Sequence, residues 1–440
     1  MFLAFLKSIL VFFVDCDILL DIILKQRKKP MEYGILLELA TDLGYELAMC
    51  GAETFRIEES VSRVLQAYGM KAEVFSIPNC LTVSIETDSE PMTRVRRIGI
   101  HGNDLDGVER LTGLSRKLCK ETPEPKEAVC WLEEAKKQKR SYNLAIYLLG
   151  HFLGAFGFSM VFGGSLIDGL CGGFCGLLIG IVNRFTGKLK ANQFFSIIAA
   201  SFPMALMAYA ISAAGIADNA DMVNIGALMI LVPGLLFTNA MRDIIFGDIN
   251  SGTNRIVQVF LIAAAIVTGT AAAWSTAAFL WGEPVGGTIE NVTILRGLLP
   301  CIIGCLGFCI VFNIHGKGII LCALGGMLTW VTYEACQLLG CRDLIAMFWA
   351  TLFAGFYSEI MARIRRCPAI GYLVIAIFPL IPGAGAYYTM NYAVQGEMEL
   401  FISKGMHTAA EAGIMAVAIL LAVTAVRLWQ GWIKSRKKRK

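Results

Sequence analysis

Apolar and polar positions along the chain fall into three regimes. An apolar run from Met1 to Leu24 is interrupted by Lys7, Asp15, Asp17 and Asp21, and it lacks both the basic start with an uncharged core and the small-residue cleavage site of a signal peptide. Residues 1–30 therefore read either as a membrane-surface helix or as an extension ahead of a start at Met31, and the second is favoured. Between residues 34 and 140 the pattern is mixed. Leu36–Met49 and Thr54–Tyr68 carry apolar residues at helical spacing around Cys50-Gly51-Ala52-Glu53, where Gly51 serves as a helix stop. Lys71–Ile77, Cys80–Thr87 and Arg94–Ile100 alternate or are β-branched enough to predict strands, and Leu105–Cys119 and Lys126–Lys139 return to helix. From Ser141 onward, apolar runs of about 20 residues, the length that crosses a bilayer, follow one another. They predict ten spans: roughly 142–163, 166–183, 192–213, 222–248, 255–281, 292–313, 317–338, 342–363, 369–395 and 409–432.

Two of these spans are interrupted where a helix should run unbroken, at Leu231-Val-Pro-Gly234 and at Leu380-Ile-Pro-Gly383. Proline removes a backbone donor and displaces the preceding residue from helical geometry, while glycine permits unusual dihedrals. In hydrocarbon such a break persists only where protein or a watery cavity satisfies the freed groups. Paired breaks at corresponding points of two halves point to a transporter's binding site. The repeat is visible by offset. Gly154, Gly157, Phe158, Val161 and Phe162 recur as Gly304, Gly307, Phe308, Val311 and Phe312, each 150 residues on, and Pro233-Gly234 recurs as Pro382-Gly383, displaced by 149. Five spans are an odd number, so a tandem copy inserts upside down. The expected fold is an α-helical polytopic membrane protein of two five-span inverted repeats, residues 141–282 and 290–433. A cytoplasmic α/β domain at 34–140 precedes them and a basic tail at 434–440 follows.

Charge orients this layout. Arg184 to Lys190, Arg242 to Arg255, Lys317, Arg363 to Arg366 and the tail share one side, with Lys136 to Arg140, and acidic residues such as Asp218, Asp221, Glu283, Glu290, Glu397 and Glu399 dominate the other. Basic loops belong in the cytoplasm, so both termini are expected there, in a cell (inner) membrane. Composition agrees: 440 residues, 56% hydrophobic, 17% charged, mean hydropathy +0.61. The net charge of +4 is small and concentrated in loops, which argues against nucleic acid as a partner. Fourteen cysteines show no disulfide or zinc spacing, and the turn-spaced pair Cys171 and Cys175 has no histidine to complete a metal set. With four histidines, no His-based catalytic centre, metal or cofactor is expected.

Gly51-Ala-Glu-Thr-Phe-Arg-Ile-Glu-Glu59, Leu231-Val-Pro-Gly234, Arg366-Cys-Pro368 and Phe378-Pro-Leu-Ile-Pro-Gly383 together resemble the threonine/serine exporter family over about residues 34–433. The resemblance implies export of small hydroxyl amino acids across the bacterial inner membrane, driven by the proton gradient. Some similar relatives move dicarboxylates, so a succinate-like substrate is the alternative.

A helix restarting inside the membrane offers uncapped N–H groups and the positive end of its dipole to a carboxylate. Pro233, Gly234, Pro382 and Gly383 are therefore expected to face a shared cavity. After the first break, Asn239 and Asp243 share a helical face, and Thr238 and Arg242 the adjacent one; in the second half Tyr387, Tyr388 and Asn391 take comparable positions. Asn239 and Asn391 are expected to hydrogen-bond substrate, and Asp243 to bind its ammonium or carry the coupling proton. A solvated helix end is the plainer account of Arg242 and Asp243. Glu359 is a second proton candidate, although it reads first as the partner of Arg363 one turn on. Asp168 and Glu334 lie near span ends. Glu53, Arg56, Glu58 and Glu59 form a charged helix face, solvated or docked on the pore mouth; a hydrolytic carboxylate pair there lacks a nucleophile or metal ligand. No Gly-x-x-x-x-Gly-Lys-Ser/Thr loop occurs. A channel through Gly-rich spans such as 169–180 is the other rival, and a homo-oligomer remains open.

Overall fold

The computed structural model describes residues 32–88, 90–99, 102–282 and 294–438. The extension through residue 30, His101, Glu283 and Glu290 lie outside them, as does the side chain of Asn391.

The mixed regime folds as α1 (Tyr33–Met49), α2 (Thr54–Ala67), β1 (Ala72–Ile77), β2 (Cys80–Ile85), β3 (Met92–Arg97), α3 (Leu105–Glu121) and α4 (Pro125–Lys137). The strands form one antiparallel sheet in sequence order, with Phe75 opposite Thr82 and Thr82 opposite Val95. Alternation along β2 turns Leu81, Val83 and Ile85 inward, and α2 presents Ile57, Val61, Val64 and Leu65 at helical spacing to the same core. The third strand starts at Met92, two residues before the sequence expectation. Gly51 ends α1 with φ +92, and a Cβ there would fall 2.4 Å from the carbonyl oxygen of Gly102, so no other residue fits this turn.

The apolar regime folds as α5 (Leu144–Val161), α6 (Leu166–Lys188), α7 (Gln193–Ala213), α8 (Ala220–Leu228), α9 (Gly234–Ile245), α10 (Ile249–Trp281), α11 (Ile294–Val311), α12 (Gly318–Leu338), α13 (Asp343–Arg365), α14 (Ile370–Ile377), a short 3-10 turn at Phe378–Leu380, α15 (Gly383–Gln395) and α16 (Met398–Lys438). Among the described residues seven of these (α5, α6, α7, α10, α12, α13 and α16) are long and apolar enough to cross a membrane, and α14 with α15, bent by 50°, makes an eighth. Two segments of the expected ten fall short of that length: α8 and α9 are 9 and 12 residues, and the apolar part of α11 covers Gly297–Val311. Large apolar side chains such as Leu149, Phe174, Ile181, Phe260 and Phe279 point outward, as a surface immersed in lipid requires. The protein is an α-helical membrane protein. Helix α10 begins at Ile249, six residues before the expected start, because Asp248 and the preceding Gly247 turn the chain directly out of α9.

Glycines let α5 and α11 touch backbone to backbone. A Cβ on Gly157 would lie 2.4 Å from the amide nitrogen of Gly304, and one on Gly307 2.2 Å from that of Gly154. Such close crossing by small residues is how helices associate without a hydrophobic driving force between them.

Candidate functional site

Both Pro-Gly sequences break their helices. Val232 and Ile381 accept from the amides of Gly234 and Gly383 in tight local turns, and no side chain caps either restart. The breaks meet. A Cβ on Gly234 would lie 2.8 Å from Ile381 Cδ1 and 2.9 Å from Phe378 Cε2; one on Gly383 would lie 2.6 Å from Met229 Sδ and 3.5 Å from Val232 Cγ2. Each restart glycine thus packs on the residues that lead into the other break. Phe158, Phe308 and Phe378 cluster there edge-on and tilted, with Phe308 and Phe378 centroids 3.9 Å apart.

A cavity of about 530 Å³ opens beside the first break. Pro233, Gly234 and Asn239 wall it, with Gln193, Ser196, Arg255 and Gln258 from α7 and α10 and the loop at Gly51 and Gly102 from the sheet-bearing part. Arg255 is 1% exposed and is the largest fully buried side chain among the described residues. The second break does not line this space, against the expectation of one shared by both. Tyr387 instead turns away from it, its hydroxyl donating to Asp221 Oδ1 at 3.3 Å and lying 3.3 Å from the hydroxyl of Tyr209. Tyr388 stands edge-on to Tyr387, at 5.4 Å between centroids.

The polar side of α9 is engaged by the Gly51–Thr54 segment. Asn239 Nδ2 donates to the carbonyl of Gly51 at 2.9 Å, and Asn239 Oδ1 is buried without a partner beside the cavity. Asp243 accepts from the Thr54 amide at 3.1 Å and the Thr54 hydroxyl at 3.0 Å, and its Oδ2 lies 2.8 Å from Arg255 Nε. Glu53 is 1% exposed, 2.9 Å from Arg56 and 2.8 Å from Arg242 Nε. Arg242 and Arg255 are held by charge more than by direction, since neither Nε is aligned for a hydrogen bond. Burial pushes the Glu53 carboxyl up, but the guanidinium groups of Arg242 and Arg56 outweigh it and hold it below the usual carboxylate range. Phe55 stacks on Phe246 at 4.6 Å under the guanidinium of Arg427.

These contacts place Asp243 and Arg242 inside the protein, not at a solvated helix end, and show Glu53, at the start of the charged face, docked on α9, while Glu59 stays partly exposed beside Arg63. Thr238 turns its hydroxyl back to the Gly234 carbonyl at 2.8 Å and so stays within its own helix. Glu359 pairs with Arg363 at 3.1 Å. Sequence reasoning missed Arg255, which it counted among the loop cations because it stands at the polar edge of the apolar run that starts at Ile256. It also missed Gln193, Ser196 and Gln258, for which no one-dimensional signal exists. Asp343, His407 and Glu411, which converge in the second half, were passed over because histidine is so scarce.

Comparison with known proteins adds to this geometry. A family model described as "Putative threonine/serine exporter" matches residues 38–277, and one described as "Threonine/Serine exporter, ThrE" matches 298–425. A Mycobacterium tuberculosis protein named "Probable threonine/serine exporter" is 19% identical over 401 residues, 88% of this chain and 75% of that one. An "Uncharacterized protein" of Haemophilus influenzae is 32% identical over 110 residues, 25% of this chain and 37% of its own length. No solved structure matches the chain.

Proposed function

The chain belongs to the threonine/serine exporter family, and from that premise we propose that it exports threonine- or serine-like amino acids by alternating access, driven by the proton gradient. Family membership makes it a transporter and not an enzyme. The observation that carries the finer reading is the cavity beside the uncapped restart at Gly234, with the buried cation of Arg255 in its wall.

A small zwitterion finds there what it needs. Its carboxylate is attracted by Arg255 and by the positive end of α9. Its ammonium can be accepted by Asn239 Oδ1, the buried acceptor left unpaired, and its hydroxyl can pair with Ser196 or Gln193. Arriving carboxylate competes with Asp243 for Arg255, while Thr54 keeps Asp243 satisfied with two donors. Substrate binding is thereby linked to the contact between α9 and α10.

The inverted-repeat layout of ten crossings is supported by reciprocity. Displaced by 150, the contact of Gly154 with Gly307 becomes that of Gly304 with Gly157; displaced by 149, that of Gly234 with Phe378 and Ile381 becomes that of Gly383 with Met229 and Val232. A twofold axis in the membrane plane would produce both correspondences. On this reading the cavity opens toward the basic, cytoplasmic side and the Tyr209, Tyr387 and Asp221 cluster closes the opposite one. Residues 34–140 form the cytoplasmic domain and both termini lie inside.

Loading cells with Thr- or Ser-containing dipeptides and comparing efflux with and without the gene and the proton gradient tests the reading, with succinate as the control anion. Efflux of threonine or serine that needs both the gene and the gradient is expected. Efflux that is unchanged by the gene overturns it, and linear flux that never saturates indicates a channel.

A further inference from the structure

We propose that Cys336 and Cys341 form a disulfide on the outer face of the membrane, closing the turn between α12 and α13; the compartment assigned to it rests on the orientation proposed above. Both are free thiols here, and five residues apart they carry no disulfide signature in the sequence. The turn brings them together. Gly340 takes φ +80 and donates to the Gln337 carbonyl at 2.9 Å, while Cys341 donates to the Cys336 carbonyl at 3.0 Å. This paired closure folds the chain back so that the second residue past the helix cap meets the residue five before it, side chain to side chain. Cys336 and Cys341 hold those two positions, and their thiols interact with each other. The backbone bond between them keeps their Cα atoms inside the range of about 4.4–6.8 Å that a disulfide spans.

The ends of α2, α6 and α7 close in the same way, with Leu65 and Met70, Thr186 and Ala191, and Ile211 and Ile216 at the paired positions. Among the described residues the end of α12 alone sets cysteine at both. Displaced by 150, Cys336 and Cys341 become Thr186 and Ala191, so the two turns are counterparts, and an inverted repeat puts them on opposite faces. The first stands among Arg184 to Lys190, inside. The second stands one helix length, the 23 residues of α13, from Arg363 and Arg365, outside. Cytoplasmic thiols are kept reduced, whereas the outer side permits disulfides. The turn is also within reach of a reagent: Leu338 and Leu339 are exposed and both cysteines are half-buried, while Cys301, Cys305, Cys309 and Cys322 are buried among the helices. The bond forms by exchange with the disulfide of a protein or small-molecule oxidant on that side. One thiolate attacks that disulfide and the second displaces the half left attached, so two protons and two electrons leave the pair and the oxidant ends as two thiols. Gln337, between the two cysteines, and Tyr333 both donate to Asp343 at the first position of α13, and the closed bond ties the turn in the arrangement those contacts need.

Cells making the full-length protein are quenched in acid, free thiols are blocked with N-ethylmaleimide, and the tryptic peptide 318–342 is weighed. It holds three cysteines, Cys322, Cys336 and Cys341. One label and the loss of two hydrogens are expected, rising to three labels when a reductant precedes the block. Cys336→Ser and Cys341→Ser are each expected to give two labels without reductant. A membrane-impermeant maleimide applied to intact, reduced cells reports the orientation, with labelling of Cys336 and Cys341 but not of Cys322 expected. Three labels without reductant, in a protein whose Cys336 and Cys341 that reagent reaches from outside, overturn the disulfide and leave the orientation standing. If the reagent reaches them only in opened cells, the orientation fails instead. Purified protein titrated with oxidised glutathione then decides, and a peptide that still takes three labels there removes the pair.

Discussion

Asp243 is held by three groups at once: two donors on Thr54 and the cation of Arg255. Removing one member of a buried ion pair leaves the other uncompensated, so Asp243→Asn is expected to destabilise the protein by about 3–5 kcal/mol. Thr54→Val keeps the charges and removes one hydrogen bond to the carboxylate, with an expected loss of about 1.5–3 kcal/mol. Thermal unfolding in detergent ranks the two variants. Glu58 behaves differently. Burial raises its pKa from 4.5 to about 7 despite the Ser76 amide that donates to it at 2.8 Å, and Asp248 and Asp243 add repulsion. Because the folded pKa lies above the unfolded one, the folded state holds the proton more tightly and stability falls as pH rises from about 4.5 to 7. Melting temperature is expected to drop between pH 5 and pH 8, and Glu58→Gln to flatten that slope by raising the value at pH 8.

Two helix pairs depend on missing side chains, and they should fail in different ways. At the crossing of α5 with α11 the neighbours of Gly157 and Gly307 are backbone atoms, which no rotamer change moves. Gly157→Leu or Gly307→Leu is expected to push the helices apart and to lose the monodisperse peak in size-exclusion chromatography. At the breaks the neighbours are side-chain tips of Phe378, Ile381 and Met229. Gly234→Val and Gly383→Val are therefore expected to fold with a cost of about 1–3 kcal/mol and yet to abolish efflux. The sequence carried this distinction only halfway. Glycine spacing and the 149–150 displacement are periodic signals, and they marked both pairs. Which side of each break borders a cavity depends on neighbours distant along the chain, so Arg255 and Gln258 were invisible while Pro233 was not. The position of Tyr387 is likewise set by Tyr209 and Asp221, far upstream.

At the scale of the molecule, the segment that follows α1 is joined to the broken helix by Glu53–Arg242, Thr54–Asp243 and Gly51–Asn239. Composition separates the mixed and apolar regimes, but it says nothing of this union, because each partner reads alone as an ordinary charged helix end. Glu53→Gln should weaken it. Limited proteolysis at residues 138–143, between α4 and α5, is expected to accelerate several-fold in that variant, and unchanged cleavage would mean the carboxylate is not what holds the two parts together. The same three links have a kinematic consequence. Were α9 to rotate in the proposed transport cycle, it could not leave Gly51–Thr54 behind, so the sheet would tilt with it and the movement would be readable at the sheet-bearing part. Cys130 on α4 is the exposed thiol among the described cysteines, and a fluorophore attached there would blink with every substrate molecule released.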